Sequence, residues 1–451
     1  PIIIVNPKLN LTKDPIAKLI KKIALPASVG TFFQTMFNVV DTFFAGKISP
    51  EALSALAKSF PIYFIIIAAC VGVTVGGTSL IANSIGENNK ERILNYFTQT
   101  IIFGFLVSIL ITIIGLVFSP MLFNLMSSDE QFILLGLKYT NVIFAGSIIF
   151  ITVVALNSLL HAEGDTKTYR NVLIVSFLLN IILNPLFIFG YGFVPPMGIA
   201  GIGFATIVAQ FIGLLIIFNK IIKSSRIKNI QIINFYPKIY LLKNLFNQSA
   251  PISATLLLIS VGNFVVLAYI SVFGEHAIAG YGAAARFEQI LLLPVLGLNT
   301  AIISIISQNF GAKNYLRVKE SYFKAVMYGF SLMIICGIII FLSADKIVSI
   351  FSDNPNVIDF GTTYLKISAL IFPAYPVFFI SNGFFMAIKK STYSMHLNLI
   401  RNVILLIPII IAAKIFGGSF QTFFWSYCFF NWFYVICLFI LISIYIKRYL
   451  I

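Results

Sequence analysis

Two carboxylates draw attention because of where they lie. Of fifteen acidic residues, Asp41 and Glu288 fall inside long apolar runs, and Asp359 marks the start of another. An acid at the centre of a bilayer costs about 2.5–3.5 kcal/mol on insertion scales, so it is rare there without a function. Asp41 ends a series at steps of three or four: Thr31, Gln34, Asn38, Asp41. On a helix this is one polar stripe, which a lipid-facing helix does not tolerate. Asn180 and Asn184 also stand four apart on one face, just before Pro185. Proline removes a backbone donor and frees a carbonyl, so a kink is expected there. Amide and carbonyl oxygens are hard ligands, suited to a cation or a protonated acid. Glu288 follows Arg286 by two positions. Residues two apart do not share a helix face. Glu288 therefore reads either as a second coupling or substrate site or as an acid satisfied by Arg286 or a polar core.

The chemistry open to Asp41 is ion exchange. Burial disfavours the charged carboxylate, and hydrogen bonds to the anion favour it. Such a group facing water takes up a proton or cation, and its neutralised form is cheaper to carry through the membrane. Neutralisation also removes the negative partner of a cationic substrate. Asp41 is expected to alternate between a coupling ion and substrate release.

The elements that position these residues are membrane helices. The chain has 451 residues, of which 59% are hydrophobic and 10% charged, with mean hydropathy +0.98. Soluble domains are roughly 45–50% apolar and about 25% charged. A water-soluble enzyme, a disordered chain and a disulfide-stapled domain are excluded. A bilayer core needs about 20 apolar residues per helix. Twelve spans are predicted, near 20–45, 59–83, 94–118, 132–160, 166–190, 199–220, 244–273, 278–309, 316–342, 359–388, 393–415 and 419–446. Many exceed the minimum length, so tilts and kinks are expected. Barrel strands would alternate polar and apolar residues and are not indicated.

The net charge of +16 is spread in short basic clusters between the spans. That is the pattern of cytoplasmic membrane loops and not of a nucleic-acid surface. With the N-terminus inside, the inner segments hold 22 of the 31 Lys and Arg residues and the outer loops hold Lys47, Lys58, Lys346 and Lys414. Both termini are therefore expected in the cytoplasm of a multi-pass plasma-membrane protein. No cleavable signal is evident in Pro1 to Asn10. Cys70, Cys336, Cys428 and Cys437 read as small buried hydrophobes. His161, His276 and His396 lack metal-ligand spacing.

A shift of 225 positions superposes the two halves. It pairs Pro26 with Pro251, Ser28 with Ser253, Asn38 with Asn263, Gly72 with Gly297, Asn89 with Asn314, Arg92 with Arg317, Tyr139 with Tyr364 and Asn157 with Asn382. Asp41 meets Val266, so the acid belongs to one half alone. Six spans per half make the repeat parallel, about an axis along the membrane normal. The predicted fold is an all-α polytopic membrane protein of twelve transmembrane helices in two six-helix lobes. Residues 1–218 form the N-lobe, 219–243 a basic cytoplasmic linker and 244–451 the C-lobe. Glycines four apart, Gly72 and Gly76, are expected to permit close helix packing.

The sequence resembles the multidrug and toxic compound extrusion (MATE) family, most closely its DinF-like prokaryotic branch. The resemblance rests on Pro26 and Asn38–Phe44 in span 1, on Asn180 with Asn184–Pro185 in span 5, and on Ala284–Gln289, Leu293–Pro294, Gly297–Asn299 and Gln308–Ala312 in and after span 8. It implies two lobes and export of organic cations or amphipathic drugs, driven by inward H+ or Na+ flow. It makes Asn180 a neighbour of Asp41. It also places Gln34, Asn38, Tyr139, Asn157 and Thr206 along the N-lobe cavity. The branch often has a second Asp where this chain has Asn184, which leaves proton and sodium coupling both open. The C-lobe lacks the acids in spans 7 and 10 that other branches use for sodium.

An ion gradient is the expected energy source, since no phosphate-binding loop or soluble nucleotide domain is present. No cofactor, metal, nucleic acid or enzymatic activity is expected. The partners are the bilayer and the small-molecule substrate, and the expected state is a monomer. A same-superfamily flippase of lipid-linked or polysaccharide substrates is the alternative. It would want a large basic cavity, whereas the span-resident bases are Lys138, Arg286, Lys324, Lys366 and Arg401.

Overall fold

The computed structural model describes residues 9–126, 129–227 and 230–450. Pro1–Lys8, most of the segment in which no cleavable signal is evident, lies outside the described residues, as does Lys228 of the inner basic residues. Ten helices among the described residues are long and apolar enough to cross a membrane. Two bent pairs, each counted as one span, bring the number of candidate spans to twelve. The first six spans are α1 (Ile16–Ile48), α2 (Pro50–Gly86), α3 (Lys90–Met126), α4 with α5 (Glu130–Ala145, Ser147–Ala162), α6 (Thr166–Phe189) and α7 (Ile199–Ile222). The second six are α8 (Ile239–Ile270), α9 with α10 (Glu275–Leu291, Leu293–Gly311), α11 (Tyr315–Ser349), α12 with α13 (Pro355–Ile371, Ala374–Ala387), α14 with α15 (Ser391–Leu399, Leu406–Ile415) and α16 (Phe420–Tyr449).

The breaks have local causes. Span 10 bends by 56° at Phe372–Pro373, where the proline lacks an N–H and crowds the preceding turn. Span 4 bends by 41° at Gly146. A Cβ there would lie 2.4 Å from Ile207 of α7. Span 8 breaks at Leu292, just before Pro294 in the first turn of α10. Span 11 carries a π turn at Ile400–Ile404. In span 5, α6 stays helical through Pro185 to Phe189.

The repeat is visible in the backbone. Asn89 and Asn314 each cap a helix by accepting from the N–H three residues on, at 3.0 and 3.3 Å. Asn88 and Lys313, one residue before each, both have positive φ. So do Gly164 and Lys389, again 225 apart.

The chain forms two compact units, Val29–Ser253 and residues up to Ser28 with those from Ala254 on. The boundaries fall inside α1 and α8, and not in the linker where the sequence halves divide. Two close approaches explain this. In one unit a Cβ on Gly297 of α10 would stand 2.0 Å from Ser28 Oγ and 2.5 Å from the Ala24 carbonyl. In the other, a Cβ on Gly72 of α2 would stand 2.2 Å from Ser253 Oγ and 2.8 Å from the Ser249 carbonyl. The start of each first helix is thus keyed to the opposite repeat. Gly76 packs on Ser249 in the same manner, as expected of that glycine pair.

The connecting segments are clipped down as well. The stretch around the short 3-10 turn Ile232–Phe235 docks on α3: Gln99 Nε2 donates to the Tyr236 carbonyl at 2.9 Å and its Oε1 accepts from Lys238 N at 2.9 Å. In the other unit Arg317 donates to the Asp14 carbonyl at 2.7 Å, and Asn309 Nδ2 donates to the Leu11 carbonyl at 3.0 Å.

Candidate functional site

Three helices of the Val29–Ser253 unit converge on Asp41. The α1 stripe turns it inward to 5% exposure, while α6 offers Asn180 and Asn184 from one face. Asn180 Nδ2 donates to Asp41 Oδ1 at 3.0 Å and Asn184 Nδ2 donates to the same oxygen at 2.9 Å. Asn184 Nδ2 also donates to Asn180 Oδ1 at 3.1 Å. Thr206 on α7 donates to Asp41 Oδ2 at a longer 3.3 Å and shares its hydrogen with the Ile202 carbonyl at 3.0 Å. Both asparagines are fully buried, and Asn184 Oδ1 has no hydrogen-bond partner. A buried acceptor left unpaired costs about 1–3 kcal/mol.

The remaining N-lobe residues are placed differently. Gln34 and Asn38 are exposed and make no hydrogen bond to the carboxylate. Tyr139 is buried on α4, with its backbone against Gly203 of α7. Asn157 is fully buried and paired with His161 Nε2 at 3.1 Å instead of with Asp41.

Glu288, on α9, is buried in the other unit. It accepts from Tyr375 Oη at 2.5 Å, from Ser368 Oγ at 2.8 Å and from Tyr364 Oη. Tyr364 and Ser368 lie on α12 and Tyr375 on α13, so one carboxylate ties both arms of the 56° bend. Arg286 is exposed and makes no ion pair among the described residues, so it is not the partner of Glu288. Sequence reasoning missed Ser368 and Tyr375. Tyr364 stood out only as the repeat-mate of Tyr139. The legible clue was Tyr364, Ser368 and Tyr375 at near-helical spacing in a run that otherwise reads as core. Among the described residues no group of three or more His, Cys, Asp or Glu could hold a metal ion.

These features define a class: a helical membrane protein of two repeated units, with an isolated buried acid in each. The MatE family model matches residues 26–186 and 251–411, the same 225-residue offset. The chain belongs to this family, that of the multidrug and toxic compound extrusion transporters. It is 24% identical to a protein named FAD transporter from Shewanella oneidensis, over 91% of this chain and 90% of that one. It is 27% identical to the probable multidrug resistance protein NorM of Thermotoga maritima, over 79% and 76%. In fold it is similar to a MOP superfamily transporter from Pyrococcus furiosus, with TM-score 0.89, 24% identity and 98% of both chains covered. It is also similar to a MATE solved with MaL6, with TM-score 0.90, 23% identity, and 98% and 99% covered.

Proposed function

We propose that the protein is a secondary active antiporter that exports organic cations or amphipathic compounds by alternating access, coupled to inward proton or sodium flow through Asp41. The observation that carries this reading is the burial of Asp41 under donors from two other helices. The anion is stabilised by about two charge-assisted hydrogen bonds, and it remains costly to carry through a bundle whose outer surface is apolar. A proton or cation removes that cost, and the neutral state also releases a positively charged substrate. Asn180, Asn184 and Thr206 hold the carboxylate at a fixed depth, so the ion and the substrate compete for one charge. The distribution of Lys and Arg supports a plasma-membrane protein with both termini inside. Gln34, Asn38, Tyr139 and Asn157 are proposed to line the substrate path.

The relative named FAD transporter adds an anionic aromatic compound to the substrates to be tested. The experiment is efflux from proteoliposomes under an imposed proton or sodium gradient. Asp41→Asn is expected to abolish gradient-driven efflux while the protein remains folded. Retention of gradient-driven efflux in Asp41→Asn refutes the reading.

A further inference from the structure

The buried charge of the second unit is not confined to Glu288. Arg401 sits near the middle of span 11 and is 9% exposed. The π turn at Ile400–Ile404, closed by the Leu405 N–H to the Ile400 carbonyl at 2.8 Å, sets its direction. Such turns inside α-helices are rare and frequently mark functional positions. Arg401 Nε donates to Asn431 Oδ1 of α16 at 2.9 Å. Its guanidinium lies 4.3 Å from the ring centroid of Phe378 and 5.4 Å from that of Tyr375, both on α13. The aromatic rings support the cation's planar face.

No acid lies within ion-pair distance of Arg401 among the described residues. The buried acid of this unit is already engaged: Glu288 accepts three hydroxyls, and Tyr375, which shows its ring to Arg401, gives its hydroxyl to Glu288. The two terminal nitrogens of the guanidinium donate to no described residue. A guanidinium has five N–H donors in a planar fork that matches an oxyanion. Here one donor is used and no acid pairs directly with the charge, in a place where unpaired charge is costly. The repeat does not require it: the position 225 residues earlier is Ser176, which donates to the Ala209 carbonyl at 3.3 Å.

We propose that Arg401, oriented by Asn431 and backed by Phe378 and Tyr375, is a recognition site for the oxyanion group, a carboxylate or phosphate, of an amphipathic substrate. The site rests on the exporter reading above and widens its substrate class from cations to amphipathic anions. The fork supplies two free donors to the oxyanion, and the apolar body of the ligand stays among the span side chains.

The test is equilibrium binding of radiolabelled 1-naphthoate to the purified protein in detergent without any gradient, compared with neutral 1-naphthamide. 1-Naphthyl phosphate is the second arm. Whichever of the two anions binds more tightly identifies the oxyanion. Saturable anion binding at least about tenfold tighter than the amide is expected. Arg401→Gln is expected to bring the anion down to the level of the amide, with Arg401→Lys in between. Asn431→Asp supplies an internal carboxylate to the guanidinium and is expected to weaken anion binding while the melting temperature holds, so the proposal stays testable if Arg401→Gln does not fold. Equal affinity for anion and amide, or unchanged anion affinity in Arg401→Gln or in folded Asn431→Asp, overturns it. Asp41→Asn is expected to keep the binding while losing gradient-driven efflux, which separates failure of this proposal from failure of the coupling assignment.

Discussion

Replacing Asn184 by leucine, which has nearly the same shape, separates the two coupling ions by the direction of a single shift. Asn184 gives one hydrogen bond to the Asp41 anion at 2.9 Å and one to neutral Asn180 at 3.1 Å, and it leaves its own oxygen unpaired. A bond to a charged group contributes about 1.5–3 kcal/mol and a neutral one about 0.5–1.5 kcal/mol, while an orphaned buried acceptor costs about 1–3 kcal/mol. The losses and the relief largely offset, so Asn184→Leu is expected to change stability by no more than about 2 kcal/mol. The ion equilibrium feels the first term alone. Losing about 1.5–3 kcal/mol of support for the anion is a factor of roughly 10–150 in its exchange with a cation. If the coupling ion is a proton, the anion is less favoured and half-maximal efflux is reached at a proton concentration lower by that factor. If the ion is sodium, an oxygen ligand is also lost and the sodium requirement rises. Efflux from proteoliposomes, titrated separately with pH and with sodium, reads both. An unchanged midpoint for both ions, in protein that melts normally, refutes the assignment of Asn184 to the coupling site.

Other substitutions probe the scaffold around that site. Thr206→Val removes a 3.3 Å bond whose hydrogen is shared with Ile202, so it is expected to cost less than about 1 kcal/mol and to leave efflux within a few-fold, read in the same vesicles. Gly297→Ala drives a methyl against the Ala24 carbonyl at 2.5 Å and is expected to destabilise by about 1–3 kcal/mol, as a lower melting temperature; Gly72→Ala behaves alike against Ser249. Glu320→Gln breaks an exposed pair with Lys324 and is expected to leave the melting temperature unchanged in thermal unfolding.

Spans, repeat and the Asp41 stripe were legible because each is written in one-dimensional spacing. Polar steps of three or four singled out the α1 series that ends in Asp41, and the Asn180–Asn184 pair announced itself the same way on α6. What spacing does not carry is direction within a stripe. Gln34 and Asn38 belong to the same series as Asp41, yet they are exposed while Asp41 is buried, because a stripe is wider than the contact one neighbouring helix can cover. Arg286 was legible as a charge and misleading as a partner, since two residues along a helix place side chains on different faces. The Glu288 cradle was hidden for another reason. Its donors come from both sides of the break at Phe372–Pro373, and a proline shows where a helix bends but not what the bend brings together.

The same repeat that makes the fold readable separates scaffold from chemistry. Glycine–serine approaches, helix caps and positive-φ turns recur at an offset of 225, so they answer a requirement of folding common to both units. The buried charges do not recur. Asp41 corresponds to Val266, Glu288 to Tyr63 and Arg401 to Ser176. Each unit therefore folds the corresponding position without a charge, and the energetic cost of burying one has been accepted separately in each. In the first unit it is a lone acid under two amide donors and a hydroxyl. In the second it is an acid held by three hydroxyls and a guanidinium with donors to spare. One unit buries an acid alone and the other an acid and a guanidinium on a common scaffold, so the difference between the units lies in the side chains and not in the fold they share.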